Sequence, residues 1–382
     1  MAKILMINLP YVGHTNPTLL LTKELVQRGH SVSYINAPEF RESIEETGAK
    51  FIPYINYPEG LHFQQIKIKC FWAAFETGLS VGEDYDIIIY EMFFFLGKLL
   101  AECLQKPCIR QFSTFAWNKQ VEELVMKSSV FYYPLSNDFA KKIVTELVAH
   151  KIDLKYDNIM DEIAMNVPDL NIVYTSREFQ ILEEQFDQRF QFVGPALEDK
   201  KTDVVIPYQS MKYPIIYISL GNALTNNKRF LKKCIEAFGH KKVNVIMSIG
   251  PFISEEGLGE VPGNIYIYQT VPQLDVLRHA SLLITHGGMN SIGEAMYYGV
   301  PMILVPMGTD QPMNTDRVEE FGLGKKINWL TTSARNLSGL AYSIIKDQEI
   351  KERCETMKCY MQQAGGITRA ADCVEEYMNH EQ

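Results

Sequence analysis

Short apolar runs alternate with longer amphipathic segments along the chain, and this alternation is what most constrains the fold. The first half contains the strand-like runs ILMINL, SVSYIN, KFIPY, DIIIYE, CIRQFS and NIVYTS, and a second series begins with PIIYISLGN. Segments of helical character in the first half lie at 16–28, 39–46, 62–80 and 118–150. Strands that alternate with helices form parallel sheets. The pattern therefore predicts an α/β fold with two doubly wound, Rossmann-like domains, and it disfavours a barrel or an all-β design.

The domain boundaries follow from chain length and local composition. At 382 residues, 46% of them hydrophobic, the chain is longer than a single core usually supports. After FVGPAL, the stretch 198–213 is polar, contains Pro207 and lacks periodicity, as is typical of a linker. We therefore predict a first domain at 1–197, a linker at 198–213 and a second domain at 214–365.

Charge and cysteine content exclude several classes of protein. The net charge is −9, with −7 on residues 1–195 and −2 on the rest, so neither nucleic acid nor an anionic membrane surface is an expected partner. No apolar run approaches the roughly twenty residues of a membrane-spanning helix, and the start MAKILMINL lacks the features of a signal peptide. The seven cysteines include no C-x-x-C pair, which is typical of reduced thiols. These features predict a cytoplasmic protein with no stable membrane association.

The stretch 285–311, THGGMNSIGEAMYYGVPMILVPMGTDQ, contains a candidate anion site. It predicts a buried strand that ends at Thr285, a turn at His286-Gly287-Gly288 and a helix over 290–298. The first N–H groups of a helix have no intrahelical partner and carry the positive end of the helix dipole, so a phosphate binds there favourably. The glycines of the turn allow the backbone to approach such a ligand closely.

Side chains around this helix start suit a nucleotide-sugar. Short donors for phosphate oxygens are present on His286, Asn290 and Ser291. Glu294 follows one turn later and, as an acceptor-only group, suits a ribose diol. The next strand, VPMILVP, leads to Asp310 and Gln311 at the same carboxyl-terminal edge of the sheet, where ligands of such folds bind. We expect this last pair to bind the hydroxyls of the sugar.

These residues resemble the donor signature H-x-G-x-N-S-x-x-E of the nucleotide-sugar-dependent glycosyltransferases of the GT-B fold, particularly the macrolide and plant secondary-product UDP-glucosyltransferases. The closing Asp-Gln pair and an N-terminal Gly13-His14, followed by TNP, also resemble that family. The resemblance covers nearly the whole chain. It implies two domains that face across a cleft, a C-terminal segment at 366–382 whose helix returns to the N-terminal domain, and a UDP-sugar that is a co-substrate and not a bound cofactor.

The resemblance extends the donor site to further residues. They are Gly13, Ser219, Gly221, Thr270, Val271 and Gln273. The segment YQTVPQ at 268–273 resembles the one that holds the nucleotide base through backbone groups and a glutamine. Thr270 stands where relatives often have tryptophan, and threonine cannot stack on a base. The identity of the base, uracil or thymine, therefore stays open at this point.

His14 is the candidate catalytic base, because an imidazole at the first turn after a strand faces the ligand edge and titrates near neutral pH. Glu91 ends the run DIIIYE and emerges at the same edge, where a carboxylate can fix the imidazole tautomer. Relatives commonly have aspartate there, so the longer glutamate predicts a more loosely oriented His14 and lower turnover. We predict an inverting transfer in which the helix start at 290–298, and no metal, stabilises the leaving diphosphate.

The acceptor is predicted to be apolar, because 28 aromatic residues lie in positions 1–195 and 15 in the remainder. The candidate acceptor contacts follow strand ends and are Phe93, Phe94, Phe112 and Phe115. A macrolide or a flavonoid is the expected type of acceptor. One further motif, Asp84-Tyr85-Asp86, matches a metal-binding Asp-x-Asp pattern, but it precedes its strand and should lie at the edge away from the ligand. We therefore predict no metal site.

Three alternatives remain open. A nucleotide-sugar epimerase can share this fold, but it needs well-placed carboxylates in addition to Glu91. A transferase acting on a membrane lipid needs a basic or apolar docking face on the first half. A non-enzymatic nucleotide-sugar-binding partner is suggested by Glu91 and Thr270, whereas the retention of His14 argues against it.

Overall fold

The computed structural model describes residues 1–57, 63–127, 137–149, 151–152, 154–156, 158–199, 202–221, 228–308 and 310–380. The chain divides into two compact units. Unit 1 comprises Met1–Leu197 and Gln363–Gln382, and unit 2 comprises Glu198–Gln362. No helix within the described ranges is long and apolar enough to span a membrane.

Unit 1 is built on a parallel sheet whose described strands number seven. They are β1 Lys3–Ile7, β2 Ser31–Asn36, β3 Lys50–Pro53, β4 Ile87–Glu91, β5 Cys108–Phe112, β6 Leu170–Val173 and β7 Phe190–Phe192. Their order is β3-β2-β1-β4-β5-β6-β7, and all neighbours are parallel. The order reverses between β1 and β4, and such a switch point is where ligands of doubly wound folds bind.

Helices connect these strands, and most of them lie in the segments that the sequence pattern predicts. In the described part of unit 1 before residue 170 they are α1 Val12–Gln27, α2 Arg41–Glu45, α3 Phe63–Val81, α4 Gly97–Leu104, α5 Lys119–Lys127, α6 Asn137–Ala149 and α7 Ile159–Met165. The predicted helical stretch 118–150 corresponds to α5 and α6, with 128–136 and 150 outside the described residues. Residue 62, at the start of another predicted helix, also lies outside them.

Helix α1 begins earlier than predicted. The sequence pattern predicts a start at residue 16, beside Pro17, whereas in the structure the helix starts at Val12 and Pro17 lies in the second turn. The N–H groups of His14 and Thr15 close the first turn by donating to the Tyr11 carbonyl oxygen, at 3.0 and 2.8 Å. His14 therefore lies inside the first helical turn and not in a free loop, which fixes its backbone.

Unit 2 repeats the same architecture. Its described strands are β8 Ile215–Ser219, β9 Asn244–Ser248, β10 Ile265–Tyr268, β11 Ala280–Thr285, β12 Met302–Leu304 and β13 Gly324–Lys326, and its described helices are α8 Lys228–Phe238, α9 Gln273–His279, α10 Met289–Tyr298, α11 Gln311–Glu320, α12 Ala334–Lys346 and α13 Gln348–Gln363. The strand order is β10-β9-β8-β11-β12-β13, all parallel. The switch point lies between β8 and β11. Two doubly wound Rossmann-like sheets were predicted, and this prediction is confirmed.

Burial explains why the apolar runs form the central strands. All five residues of β4 are buried, as are the last four of β1. Strands covered by helices on both faces need apolar side chains in both directions, and the run Ile87-Ile88-Ile89 has the β-branched residues that favour extended backbone. Both strands that flank the switch point of unit 1 are therefore rigid supports for the residues at their carboxyl ends.

The last helix, α14 Gly366–His380, packs on unit 1. Its residues Ala370, Ala371, Cys373 and Val374 join the core cluster that also contains residues of α1. Arg28, which follows α1, donates from Nη1 to Asp372 Oδ1 and to Glu375 Oε2, at 2.7 Å each. The Gly366 N–H donates to the Val193 carbonyl oxygen at 2.6 Å.

The predicted linker at 198–213 falls within unit 2 as the structure divides the chain. Its described part includes a short 3-10 helix, Tyr208–Ser210, and residues 200 and 201 lie outside the described ones. The Tyr208 hydroxyl donates to Asp275 Oδ2 on α9 at 2.8 Å, which fixes this stretch against unit 2.

Candidate active site

The two candidate catalytic residues lie on either side of the switch point of unit 1. His14 is in the first turn of α1, which follows β1, and Glu91 is the last residue of β4. Since β1 and β4 are hydrogen-bonded neighbours, with Ile7 opposite Tyr90, the sheet brings the two side chains together. Their Nδ1 and Oε1 atoms are 2.7 Å apart.

Glu91 is held by more than His14. Its side chain has no exposed surface, whereas the His14 side chain is 21% exposed. The Phe93 N–H donates to Oε2 at 2.9 Å, and the Ser113 hydroxyl donates to Oε1 at 2.8 Å. A buried carboxylate needs such donors, and here both of its oxygens have one.

This arrangement determines which nitrogen of His14 carries the proton. An ionised carboxylate only accepts hydrogen bonds, so Nδ1 donates to Glu91 and carries the hydrogen in the neutral imidazole. The other nitrogen, Nε2, is then an acceptor. His14 thus has the tautomer that a general base requires.

Of the four candidate acceptor contacts, Phe93 is half-buried, and its ring centroid lies 4.1 Å from that of His14. Tyr11 extends this aromatic group, with its ring centroid 5.7 Å from that of Phe93. Burial raises the pKa of the Tyr11 hydroxyl well above its ordinary value, and the nearby Cys70 and Glu91 add to this. Tyr11 is therefore protonated at neutral pH.

The other three phenylalanines occupy the interior of unit 1. Phe94, Phe112 and Phe115 have 0% exposure, and Phe115 stacks on Phe179 with ring centroids 5.6 Å apart. Our expectation of a direct acceptor contact does not match these positions, because a ligand would have to displace core side chains to reach them. Phe94 and Phe115 follow the ends of β4 and β5, and Phe112 is the last residue of β5, but the sequence pattern could not show that all three turn inward.

In unit 2, the residues of the candidate anion site again flank the switch point. Ser219 is the last residue of β8, and Thr285 lies opposite it in the register of β11 with β8. His286 directly follows Thr285. The imidazole of His286 lies against two glycines, because a Cβ atom on Gly221 would lie 2.7 Å from its Cε1, and one on Gly288 would lie 2.7 Å from its Nε2. Gly221 also has a φ of +71°, which disfavours other residues. Neither position can carry a larger residue without moving this ring.

Helix α10 starts directly after this turn. Its N-cap, Gly288, has an extended backbone and supplies no side-chain cap. Asn290 and Ser291 lie in the first turn and are half-buried. Burial lowers the pKa of His286 below its ordinary value, an effect that the Asp310 carboxylate opposes. His286 is therefore a neutral hydrogen-bond donor beside a helix start, which suits an anion.

A cavity of about 510 Å³ lies further along unit 2. Val271, Gln273 and Glu294 line it, and so do residues of the predicted linker, including Asp199. Gln273 Nε2 donates to a carboxylate oxygen of Glu294, and the Tyr217 hydroxyl donates to Gln273 Oε1 at 2.8 Å. The candidate ribose-binding residue, Glu294, is thus in contact with Gln273, the glutamine of the candidate base-binding segment.

Thr270 is exposed. It precedes Val271, whose side chain is half-buried and lines the 510 Å³ cavity.

Asp310 and Gln311 lie at the start of α11. Gln311 is buried, and its Oε1 accepts from the N–H groups of Met307 and Gly308 at 2.8 and 3.2 Å. Asp310 Oδ2 accepts from Asn314 Nδ2 at 2.7 Å. The side-chain carbonyl of Gln311 therefore holds its own loop.

The Asp-x-Asp motif lies at the amino-terminal end of β4. Asp86 precedes the strand, and its Oδ2 accepts from the Lys3 N–H at 2.7 Å. In the described ranges, no group of three or more His, Cys, Asp and Glu side chains is placed to hold a metal ion.

Comparison with known proteins decides the family. Residues 203–363 match the family model described as "UDP-glucoronosyl and UDP-glucosyl transferase". The NDP-glycosyltransferase YjiC of Bacillus subtilis (strain 168) is 35% identical over 394 residues, covering 98% of this chain and 97% of that protein. The chain belongs to the nucleotide-sugar glycosyltransferases of the macrolide type. Oleandomycin glycosyltransferase of Streptomyces antibioticus is 26% identical over 98% of this chain and 90% of its own length.

A solved structure of the same family agrees with the fold. The crystal structure of CalG4, the calicheamicin glycosyltransferase, superimposes with a TM-score of 0.84 at 28% identity, covering 99% of this chain and 98% of that one. The protein is therefore a glycosyltransferase enzyme with the GT-B fold.

Two polar residues of this glycosyltransferase escaped the sequence analysis. Ser113, directly after β5, contacts both His14 and Glu91. Asn314, fully buried in α11, donates from Nδ2 to Asp310 and to the Gly287 carbonyl oxygen at 3.2 Å. The signals were present, since Ser113 follows a predicted strand end and Asn314 lies one helical turn after Asp310, but serine and asparagine at such positions are common.

Proposed function

We propose that this glycosyltransferase transfers a hexose, glucose, from a UDP-sugar to a hydroxyl group of an apolar small-molecule acceptor, with inversion at the anomeric carbon. The observation that carries the proposal is the contact of His14 Nδ1 with the fully buried Glu91, at 2.7 Å. It leaves Nε2 of a partly exposed imidazole as the acceptor for a proton.

The proposed reaction is a single displacement. His14 Nε2 takes the proton of the acceptor hydroxyl, the acceptor oxygen forms a bond to the anomeric carbon, and the bond from that carbon to the UDP oxygen breaks. The proton remains on His14, where Glu91 stabilises the imidazolium. Because attack and departure occur on opposite faces, the configuration inverts.

The leaving diphosphate is proposed to bind at the start of α10. Backbone N–H groups of the first turn, together with His286, Asn290 and Ser291, would donate to its oxygens as charge develops, in place of a metal ion. A neutral His286 suits this role, because its pKa is lowered by burial and it can still donate one hydrogen bond. Gly288 lets the backbone come close to the ligand.

The remaining donor contacts are also proposed to come from unit 2. Glu294, supported by Gln273, is proposed to accept from the ribose hydroxyls. The base would bind beside Val271, with uracil preferred, in line with the match to a UDP-sugar family model. Asp310 and the amide of Gln311 are proposed to select the gluco configuration.

The acceptor is proposed to bind at the exposed surface beside His14. Val12, in the same helical turn, is 60% exposed, and Phe93 lies against the imidazole. Apolar groups around a general base favour an apolar acceptor. A relative of this chain is named oleandomycin glycosyltransferase. A macrolide or a flavonoid is the class that we propose to test first.

The test measures UDP release from UDP-glucose with a panel of phenolic and macrolide acceptors, with and without a chelator. We compare the wild type with His14→Ala and, as a matched control, His240→Asn, which changes an exposed histidine of unit 2. Acceptor-dependent release that is lost only in His14→Ala supports the proposal, and NMR of the product reports the anomeric configuration. Release that survives His14→Ala rejects the catalytic base. Release that is abolished by the chelator rejects the absence of a metal.

The sugar assignment has its own test. We compare UDP-glucose, UDP-galactose and dTDP-glucose as donors for the wild type, Asp310→Ala and Gln311→Ala. Both substitutions should alter the choice of sugar more than the affinity for UDP. If both variants keep the donor preferences of the wild type, the assignment of this pair to the sugar is wrong.

A further inference from the structure

Ser113 directly follows β5 and lies beside His14 and Glu91, the proposed catalytic pair. Glu91 and Gln111 are opposite each other in the register of β4 with β5, and Ser113 follows Gln111 by two residues, at the same edge of the sheet. Its side chain is 4% exposed. Water therefore does not take part in the hydrogen bonds of its hydroxyl group, whose partners are His14 and Glu91.

Three polar atoms meet at this point. Ser113 Oγ lies 2.6 Å from His14 Nδ1 and 2.8 Å from Glu91 Oε1, and these two atoms are 2.7 Å from each other. If the hydroxyl donated to Nδ1, that nitrogen would turn its lone pair toward the carboxylate, which is repulsive. The arrangement that satisfies all three atoms has Oγ–H donating to Oε1, and Nδ1–H directed at Oε1 and Oγ.

These contacts bear on the use of glutamate at position 91. Glutamate has one more rotatable bond than aspartate, and on this basis the sequence predicts a loosely held His14. In the structure, Oε2 is fixed by the Phe93 N–H and Oε1 by the Ser113 hydroxyl. Each oxygen of Glu91 accepts from a donor other than His14, so the orientation of the carboxylate plane does not depend on the imidazole.

We propose that Ser113 is a positioning residue that fixes the Glu91 carboxylate and the tautomer of His14, and so offsets the extra length of the glutamate. The inference rests on the proposed role of His14 as the base. Ser113 itself need not contact the substrate, since it acts through the other two residues.

The test begins with Ser113→Ala, which removes the hydroxyl without adding volume, and Ser113→Thr, which retains a hydroxyl. A hydrogen bond to a charged group corresponds to about a tenfold to hundredfold effect. We expect kcat of Ser113→Ala to fall by about this factor while KM for UDP-glucose stays within about twofold, and Ser113→Thr to recover most of the rate. Ser33→Ala is the matched control, because Ser33 is also a buried serine of the unit 1 sheet. Its kcat should equal that of the wild type.

A double-mutant cycle separates positioning from a structural effect. In a Glu91→Gln background, Ser113→Ala should reduce kcat by less than about threefold, because the carboxylate that it positions is gone. Equal losses in both backgrounds, or an unchanged kcat in Ser113→Ala, would overturn the inference. Thermal unfolding of each variant checks the fold. A His14→Ala enzyme that remains active would instead refute the proposed base, so the two failures are distinguishable.

Discussion

The contact of His286 with two glycines gives a quantitative prediction for Gly288→Ala. The φ of Gly288 is −66°, which alanine adopts without strain, so the substitution tests space alone. The new Cβ atom would lie 2.7 Å from His286 Nε2 and 3.1 Å from Cε1. Because real contacts of this kind exceed about 3 Å, the ring must move, and overpacking of this type costs about 1–3 kcal/mol. We expect the affinity for UDP, measured by isothermal titration calorimetry, to fall about fivefold to a hundredfold.

Three further variants make this prediction specific. Gly221→Ala should lower the affinity for UDP further. Its Cβ atom would also lie 2.7 Å from the same ring, and an alanine at the φ of +71° found at this position costs about 1–2 kcal/mol more. Gly339→Ala, within α12 and with nothing within 4 Å of its Cβ position, should leave binding unchanged. In a His286→Ala background, Gly288→Ala should have little further effect. A full loss of affinity in that background would show that the ring does not transmit the effect.

Three other predictions concern separate parts of the molecule. Asn314→Ala removes the Nδ2–H donor of Asp310, a bond worth about 1.5–3 kcal/mol, and should raise KM for UDP-glucose about tenfold in steady-state kinetics. In the unfolded chain His286 is protonated near pH 6.5, whereas burial in the folded protein lowers its pKa. The contribution of the neutral His286 to stability is therefore complete above about pH 6.5 and is lost as the pH falls toward the folded pKa. As the pH is lowered, Tm should fall less steeply in His286→Gln than in the wild type. Arg28→Leu removes the contacts with Asp372 and Glu375 and should lower Tm and make α14 sensitive to limited proteolysis, while an unchanged digestion pattern would contradict this.

The sequence predicted most strands of the fold because parallel strands that are buried on both faces leave a strong signal. The run DIIIYE became β4, with its boundary within one residue, and Glu91 was recognised as a strand end for that reason. The short elements α4, α7 and β7 were not predicted, since eight or fewer residues give too little periodicity. The start of α1 was placed four residues late because Pro17 favours a helix start locally, while the Tyr11 carbonyl oxygen accepts the hydrogen bonds that extend the helix.

Site residues could be predicted where a suitable residue type occurs at the end of a strand. They could not be predicted where the direction of the side chain determines whether a residue reaches the site. His14 and Glu91 meet because their strands are neighbours, which the βαβ pattern implies. Phe112 follows the same logic, but its side chain points into the core. Ser113, the next residue, contacts His14 and Glu91. Phe112 and Ser113 are neighbours in the chain, and the sequence alone does not determine which of the two side chains lies at the site.

The surroundings of His14 and His286 suit the same type of side chain to two different proposed roles. His14 contacts the buried carboxylate of Glu91 through Nδ1, so a positive charge formed on its ring has a partner at 2.7 Å. His286 lies between Gly221 and Gly288, and burial lowers its pKa. The first environment places a carboxylate beside the ring, and the second favours a neutral ring that donates a hydrogen bond. In the proposed inverting transfer the acceptor oxygen must lose a proton while the leaving phosphate must be stabilised, and these two environments would meet the two requirements separately.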